Sequence, residues 1–154
     1  MIIDSHQHFW KLARGDYSWM TPDMKKLYKD FFPSDLEPLI KEKNISKTII
    51  VQAADTVAET EFTLKLAEDN EFVAGVVGWV DLESAKTKDT IDKLCESKFF
   101  KGVRPMIHDI ENDEWMLQDN LNDNITHRLK KVSNNIKHTH RKRNKDRYKK
   151  FKNS

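Results

Sequence analysis

At 154 residues the chain is the size of one domain, with room for a sizeable core but not for two full domains. Hydrophobic residues make up 38% and charged residues 34%, and no stretch approaches the roughly 18 apolar residues of a membrane span, which excludes a transmembrane reading. The formal charge of +2 conceals a division: residues 1–127 carry 15 Lys+Arg against 24 Asp+Glu, a net of −9, and residues 128–154 carry 12 against 1, a net of +11.

The opening run, MIIDSHQHFW, has no basic segment ahead of a long apolar stretch and does not read as a secretory leader. Together with a single cysteine, Cys95, which cannot close an internal disulfide, it points to a reducing cytoplasm. Met1 to Ile3, leading into Asp4, reads as a first strand. The insertion from Phe9 to Pro33 carries Trp10, Tyr17, Trp19 and Met20 and is too long for a turn; an aromatic loop at a strand's C-terminal end is a natural active-site wall. Ser34 with Glu37 forms a capping box opening a helix that Asn44 stops. Thr48 to Ala54 is the second strand, and Thr56 with Glu59 caps a second helix whose apolar stripe is Ala58, Phe62 and Leu66. Phe72 to Val80 is the third strand. Thr87 to Ser97 is a third helix burying Ile91, Leu94 and Cys95, and Gly102 to Ile107 is the fourth strand.

The strand runs are β-branched and nearly continuously apolar, which suits a parallel sheet covered on both faces. Later strands start about thirty residues apart, the length of a βαβ unit. The order β-α-β-α-β-α-β predicts an α/β fold with a parallel sheet in strand order 1-2-3-4, and chemistry at the strands' C-terminal ends.

At the end of the first strand stand His6 and His8. In extended backbone, residues two apart point to one side, so both imidazoles can face one cation about 2 Å from each nitrogen. Asp4 shares this parity and can orient a ligand from behind. Arg104 and Gln52 lie at the ends of strands four and two and are candidate substrate-binding residues; Arg104 serves equally well as an ion-pair partner. Trp79 reads as core, Asp55 and Asp81 as loop carboxylates that cap helices, and His108 as solvated.

The runs IDSHQHFW, FFPSDLEPLI, VQAADTVAETEFTLKLA, GVVGWVDLES and KGVRPMIHDIENDEWMLQ resemble the amidohydrolase-related lactonases, the group of L-fuconolactone, L-rhamnono-lactone and pyrone dicarboxylate lactonases. The resemblance covers roughly residues 1 to 124. It implies a (β/α)8 barrel hydrolase of lactones or related cyclic esters. His6 and His8 match the family's strand-one metal-ligand motif, for a divalent cation such as zinc or manganese, while some members of the family work without a metal, and Arg104 matches a basic residue suited to an anionic or polyhydroxy substrate. A complete barrel takes about 250 residues, so the resemblance implies a truncated, partial barrel of four βα units, catalytically incomplete because the general base belongs to a later strand. Its two open sheet edges, and an inner face to which Ile50, Val77 and Val103 are assigned, imply self-association.

The division falls as 1–127, the N-terminal half of the barrel, and 128–154, a basic tail too poor in apolar groups to order itself. The tail reads in two ways. Its abrupt change of composition suits a shifted reading frame, while its Lys/Arg clusters around Tyr148 and Phe151 suit an arm that binds nucleic acid or another polyanion. His138 and His140 repeat the H-x-H spacing there, as an incidental pair.

Overall fold

The computed structural model describes residues 1–127. The expectations for the basic tail, including His138 and His140, lie outside the described residues. Four strands, β1 (Ile3–Gln7), β2 (Lys47–Val51), β3 (Val73–Gly78) and β4 (Phe100–Val103), pair in the order β1-β2-β3-β4, every pair parallel. The crossovers carry α1 (Pro33–Glu42), α2 (Val57–Asp69) and α3 (Thr87–Leu94). The expected architecture is the one observed, with the two edge strands displaced: β1 runs from Ile3 to Gln7 rather than over Met1 to Ile3, and β4 begins and ends earlier than Gly102 to Ile107. The pairing stops at Val103 because the chain turns away at Pro105, which has no N–H to offer a ladder.

One face of the sheet carries the main core. Ile50, Val76 and Phe100 stand in register across β2, β3 and β4 and are buried with Leu64 and Ala67 of α2 and Ile91 and Leu94 of α3. Ile50 is therefore on the helix-covered face at 0% exposure, and Val103 packs against the same cluster, correcting their assignment to an open inner face. Val77 is only half-buried. Beyond β4, residues 119–127 are helical. Leu121 is fully buried, Asn124 Nδ2 donates to the Leu82 carbonyl at 2.8 Å, and His127 meets Asp92 of α3 at 2.7 Å.

Thr56 caps α2 as expected, its Oγ1 accepting the Glu59 N–H at 3.0 Å, and Asn44 takes a left-handed φ of 55° past the end of α1, a conformation asparagine tolerates. The start of α1 lies one residue before Ser34. Pro33 occupies the first helical turn, where its missing N–H costs nothing, so the reciprocal bond comes from Asp35, whose Oδ2 accepts the Phe32 N–H at 2.7 Å. Glu37 instead pairs with Lys41 at 2.8 Å on the surface.

The buried face of α2 is Glu59, Thr60, Thr63, Leu64 and Ala67 rather than the stripe Ala58, Phe62, Leu66. Threonine can be buried there because its hydroxyl finds a carbonyl: Thr63 Oγ1 donates to the Thr60 and Glu59 carbonyls at 3.0 and 3.1 Å. Thr60 goes further. Its Oγ1 accepts the Trp79 N–H at 2.7 Å and donates to the Trp79 carbonyl at 2.9 Å, riveting α2 to the end of β3. A Cβ on Gly78 would come within 2.2 Å of Thr60 Cγ2, whereas one on Gly102 would sit 3.6 Å from the Val77 methyls. Gly78→Ala should therefore destabilise the fold by about 1–3 kcal/mol, the usual cost of overpacking, and Gly102→Ala should change it far less; urea denaturation of the two variants checks the contrast.

Candidate functional site

The C-terminal ends of the four strands bring together His6, His8, Gln52 and Arg104. His6 is the penultimate residue of β1 and is exposed; His8 lies just past the strand and is half-buried. Their Nε2 atoms face each other at 3.0 Å, with ring centroids 4.8 Å apart. His8 Nδ1 lies 2.9 Å from the Val51 carbonyl, and since a carbonyl only accepts, Nδ1 carries the hydrogen and Nε2 presents its lone pair. The partner that orients the imidazole from behind is thus the last residue of β2. Asp4 does something else: its Oδ1 accepts the His6 backbone N–H at 3.1 Å.

Burial holds His8 below the ordinary imidazole range, and the neighbouring His6 and the Arg104 guanidinium push in the same direction, against the favourable Val51 carbonyl. Arg104 is therefore close enough for its charge to be felt at His8. Gln52 is 0% exposed, and its Nε2 donates to the Arg104 carbonyl at 3.0 Å. It ties the end of β2 to the end of β4, while the backbones join through Gln52 N–H to Val77 O at 2.8 Å and Arg104 N–H to Gly78 O at 2.9 Å. Gln52 Oε1 is buried without a partner among the described residues.

A cation suits the pair: two Nε2 atoms converge from one side, and His8 has its other nitrogen anchored, the arrangement common to ligating histidines. Among the described residues no group of three or more His, Cys, Asp or Glu side chains converges as a metal cage.

The residues between Phe9 and Pro33 build the wall beside this site. Trp10 and Phe31 exchange backbone hydrogen bonds at 3.0 and 3.1 Å, closing the loop. Inside it Trp10, Tyr17 and Met20 are buried against Ala53 and Ala54, and Trp19 Nε1 donates to the Ala53 carbonyl at 2.7 Å. A cavity of about 220 Å³ opens beyond β3 and β4, lined among others by Asp55, Trp79, Asp81, Asp109 and Trp115. Asp81 caps the turn into α3, accepting the Glu83 and Ser84 N–H groups at 2.9 and 3.2 Å. His108 sits in an exposed contact with Asp109 at 3.3 Å, and Cys95 packs against the core. Glu59 is a buried acid whose spacing after Thr56 explains its backbone, while nothing in the sequence reveals its burial.

The Amidohydrolase family profile matches residues 3–132. An L-fucono-1,5-lactonase of Burkholderia ambifaria is 41% identical over 114 residues, 74% of this chain and 39% of that protein. An L-fucono-1,5-lactonase of Burkholderia multivorans is 37% identical over 107 residues, 70% of this chain and 36% of that protein. A crystal structure of an amidohydrolase from Burkholderia multivorans with bound Zn superposes with a TM-score of 0.74 at 31% identity, covering 80% of this chain and 44% of that one. The chain spans about two fifths of the length of the curated relatives it matches.

The linkage at His8 has a definite sign. A folded-state value below that of the unfolded chain means the fold is favoured above the ordinary imidazole range and loses this contribution as pH falls through the lowered value. NMR titration of the imidazole resonances should show His8 less than half-protonated at about pH 6.5, where an unperturbed histidine is half-protonated.

Proposed function

The chain belongs to the amidohydrolase family, and from that premise we propose that it forms the first four βα units of a sugar-lactone hydrolase and contributes two of the ligands that hold its divalent cation. The observation that carries this reading is the convergence of His6 and His8 Nε2 at 3.0 Å at the end of β1. A structural neighbour contains zinc, which supports zinc as the ion. When bound, such an ion supplies Lewis-acid polarisation of the lactone carbonyl.

Everything else in the site is work done by this chain's own side chains. The Val51 carbonyl keeps the hydrogen of His8 on Nδ1 and so keeps Nε2 available as a ligand. Gln52 fixes the backbone of Arg104, which sets where the guanidinium begins. A guanidinium presents five donors in a planar fork, and beside the histidines it suits the hydroxyls or carboxylate of a sugar-derived lactone. The aromatic loop excludes water from one side. The resemblance assigns the general base to an aspartate on a later strand, and in that assignment water is activated by a group these four units do not supply.

The chain by itself is then a weak zinc binder with little lactone turnover, because catalytic zinc sites ordinarily have three protein ligands. The free outer edges of β1 and β4 among the described residues, and Ile3 and Leu117 at 43% and 73% exposure, favour self-association. Calorimetric titration should show weak zinc binding that His6→Ala or His8→Ala reduces at least the ~10- to 100-fold that losing an outer partner costs. L-fucono-1,5-lactone hydrolysis with added zinc should be slow, and turnover near 10 per second, about typical of an intact enzyme, would overturn the incomplete-site argument. Sedimentation velocity checks the association: a salt-insensitive monomer would refute it.

A further inference from the structure

Behind the end of β2, three residues of the aromatic loop meet one residue of α2. Glu59 is 0% exposed. Its Oε1 accepts the Ala53 N–H at 3.3 Å, and Ala53 offers its carbonyl to Trp19 Nε1 on the other side. Arg14 bonds Asp16, whose Oδ2 accepts the Thr56 hydroxyl at 3.4 Å, and the Arg14 guanidinium covers the Phe62 ring at 4.6 Å. Three polar atoms here are buried without a hydrogen-bond partner among the described residues: Glu59 Oε2, Tyr17 Oη and Arg14 Nε. Buried polar atoms are paired as a rule, and three exceptions on residues that feel one another's charge mark a network rather than a packing accident.

We propose that Glu59 is a positioning residue that docks the aromatic loop onto the end of β2, holding Ala53 by its N–H while Trp19 holds the same residue by its carbonyl. Ala53 lies two residues past Val51, the residue that orients His8, so the docking also sets the wall beside the histidine pair. That last consequence rests on the lactonase reading; the docking itself does not.

The chemistry of an acid explains why Glu59 can do this while sealed from water. A protonated carboxyl accepts through one oxygen and carries its hydrogen on the other, so Oε1 serves Ala53 while the sealed Oε2 is not left as a buried charge. An ionised carboxylate only accepts. Burial pushes the Glu59 carboxyl up to about 7; the Ala53 N–H and Arg14 oppose the shift and Asp16 adds to it. Tyr17 is pushed up to about 12 by burial and then by Glu59. The charged and titratable groups facing Glu59 from the loop are Arg14, Asp16 and Tyr17, and the β2–α2 connection presents the Ala53 N–H. Because the fold binds this proton more tightly than the unfolded chain, stability is full below about 4.5 and declines as pH rises through about 7.

The test uses tryptophan emission of the full chain between pH 5.5 and 8.5, with Trp19 as reporter of the docked loop. The wild type should show a one-proton change with a midpoint near 7. Trp19→Phe should lose most of its amplitude. Glu59→Gln, which keeps an acceptor and a donor but cannot ionise, should hold the low-pH emission throughout. Asp16→Asn, which removes a repelling charge and frees Arg14, should lower the midpoint, and it decides the matter if Glu59→Gln fails to fold. A wild type without a transition, a Glu59→Gln chain that keeps it, or an unmoved midpoint in Asp16→Asn each overturns the proposal. Neither zinc nor a lactone enters these readouts, so a chain that binds no zinc but shows the Glu59-dependent transition refutes the metal-ligand reading of His6 and His8 and upholds the docking.

Discussion

The contact on which most of the molecule depends is the one between a threonine hydroxyl and a bare backbone. Thr60 takes both the N–H and the carbonyl of Trp79, and it can come that close only because Gly78 has no side chain. This fixes the rotation of α2 about its axis. Once Thr60 points at β3, the preceding residue, Glu59, must point toward β2 and the loop, and Thr63, Leu64 and Ala67 must face the sheet, since these positions share a helical face. The wall of the site is therefore set from the far side of the sheet.

The site is built on the same economy of means. His6 lies in β1 and His8 just past it, and His8 is not aimed by its own segment alone: the Val51 carbonyl turns it, while Gln52 ties down the backbone of Arg104. The end of β2 contributes no side-chain ligand to the histidine pair. It supplies a carbonyl and an amide that orient residues from β1 and from the end of β4, which is why parallel strands in sequential order matter for the chemistry and not only for the core.

What could be read in the sequence follows from which forces are local. Strand order and direction were legible because hydrophobic runs at βαβ spacing leave few arrangements. The histidine pair was legible because alternation alone puts residues two apart on one side. The buried face of α2 was not, because Thr60 and Thr63 are polar by composition and become interior only through carbonyl partners, one of them nineteen residues away, while Phe62 is drawn to the Arg14 guanidinium. The start of α1 was misplaced by one short step, since Ser34 is a good cap residue and Pro33 a better first turn. Glu59 shows the limit most plainly: its spacing from Thr56 describes its backbone correctly, and its carboxyl is determined by a loop that enters the chain some forty residues earlier.

The Trp10–Phe31 bridge makes the loop a pinched-off ring. Everything between its two ends is anchored at the neck and along one side, so residues such as Met24, Leu27 and Tyr28, which are exposed at 39%, 41% and 43%, can be replaced, inserted or deleted without changing the register of any strand. Such a ring separates the part of the protein that must be inherited intact from a part free to diverge. Its rim can be remodelled while the scaffold that aims the histidines is left as it was.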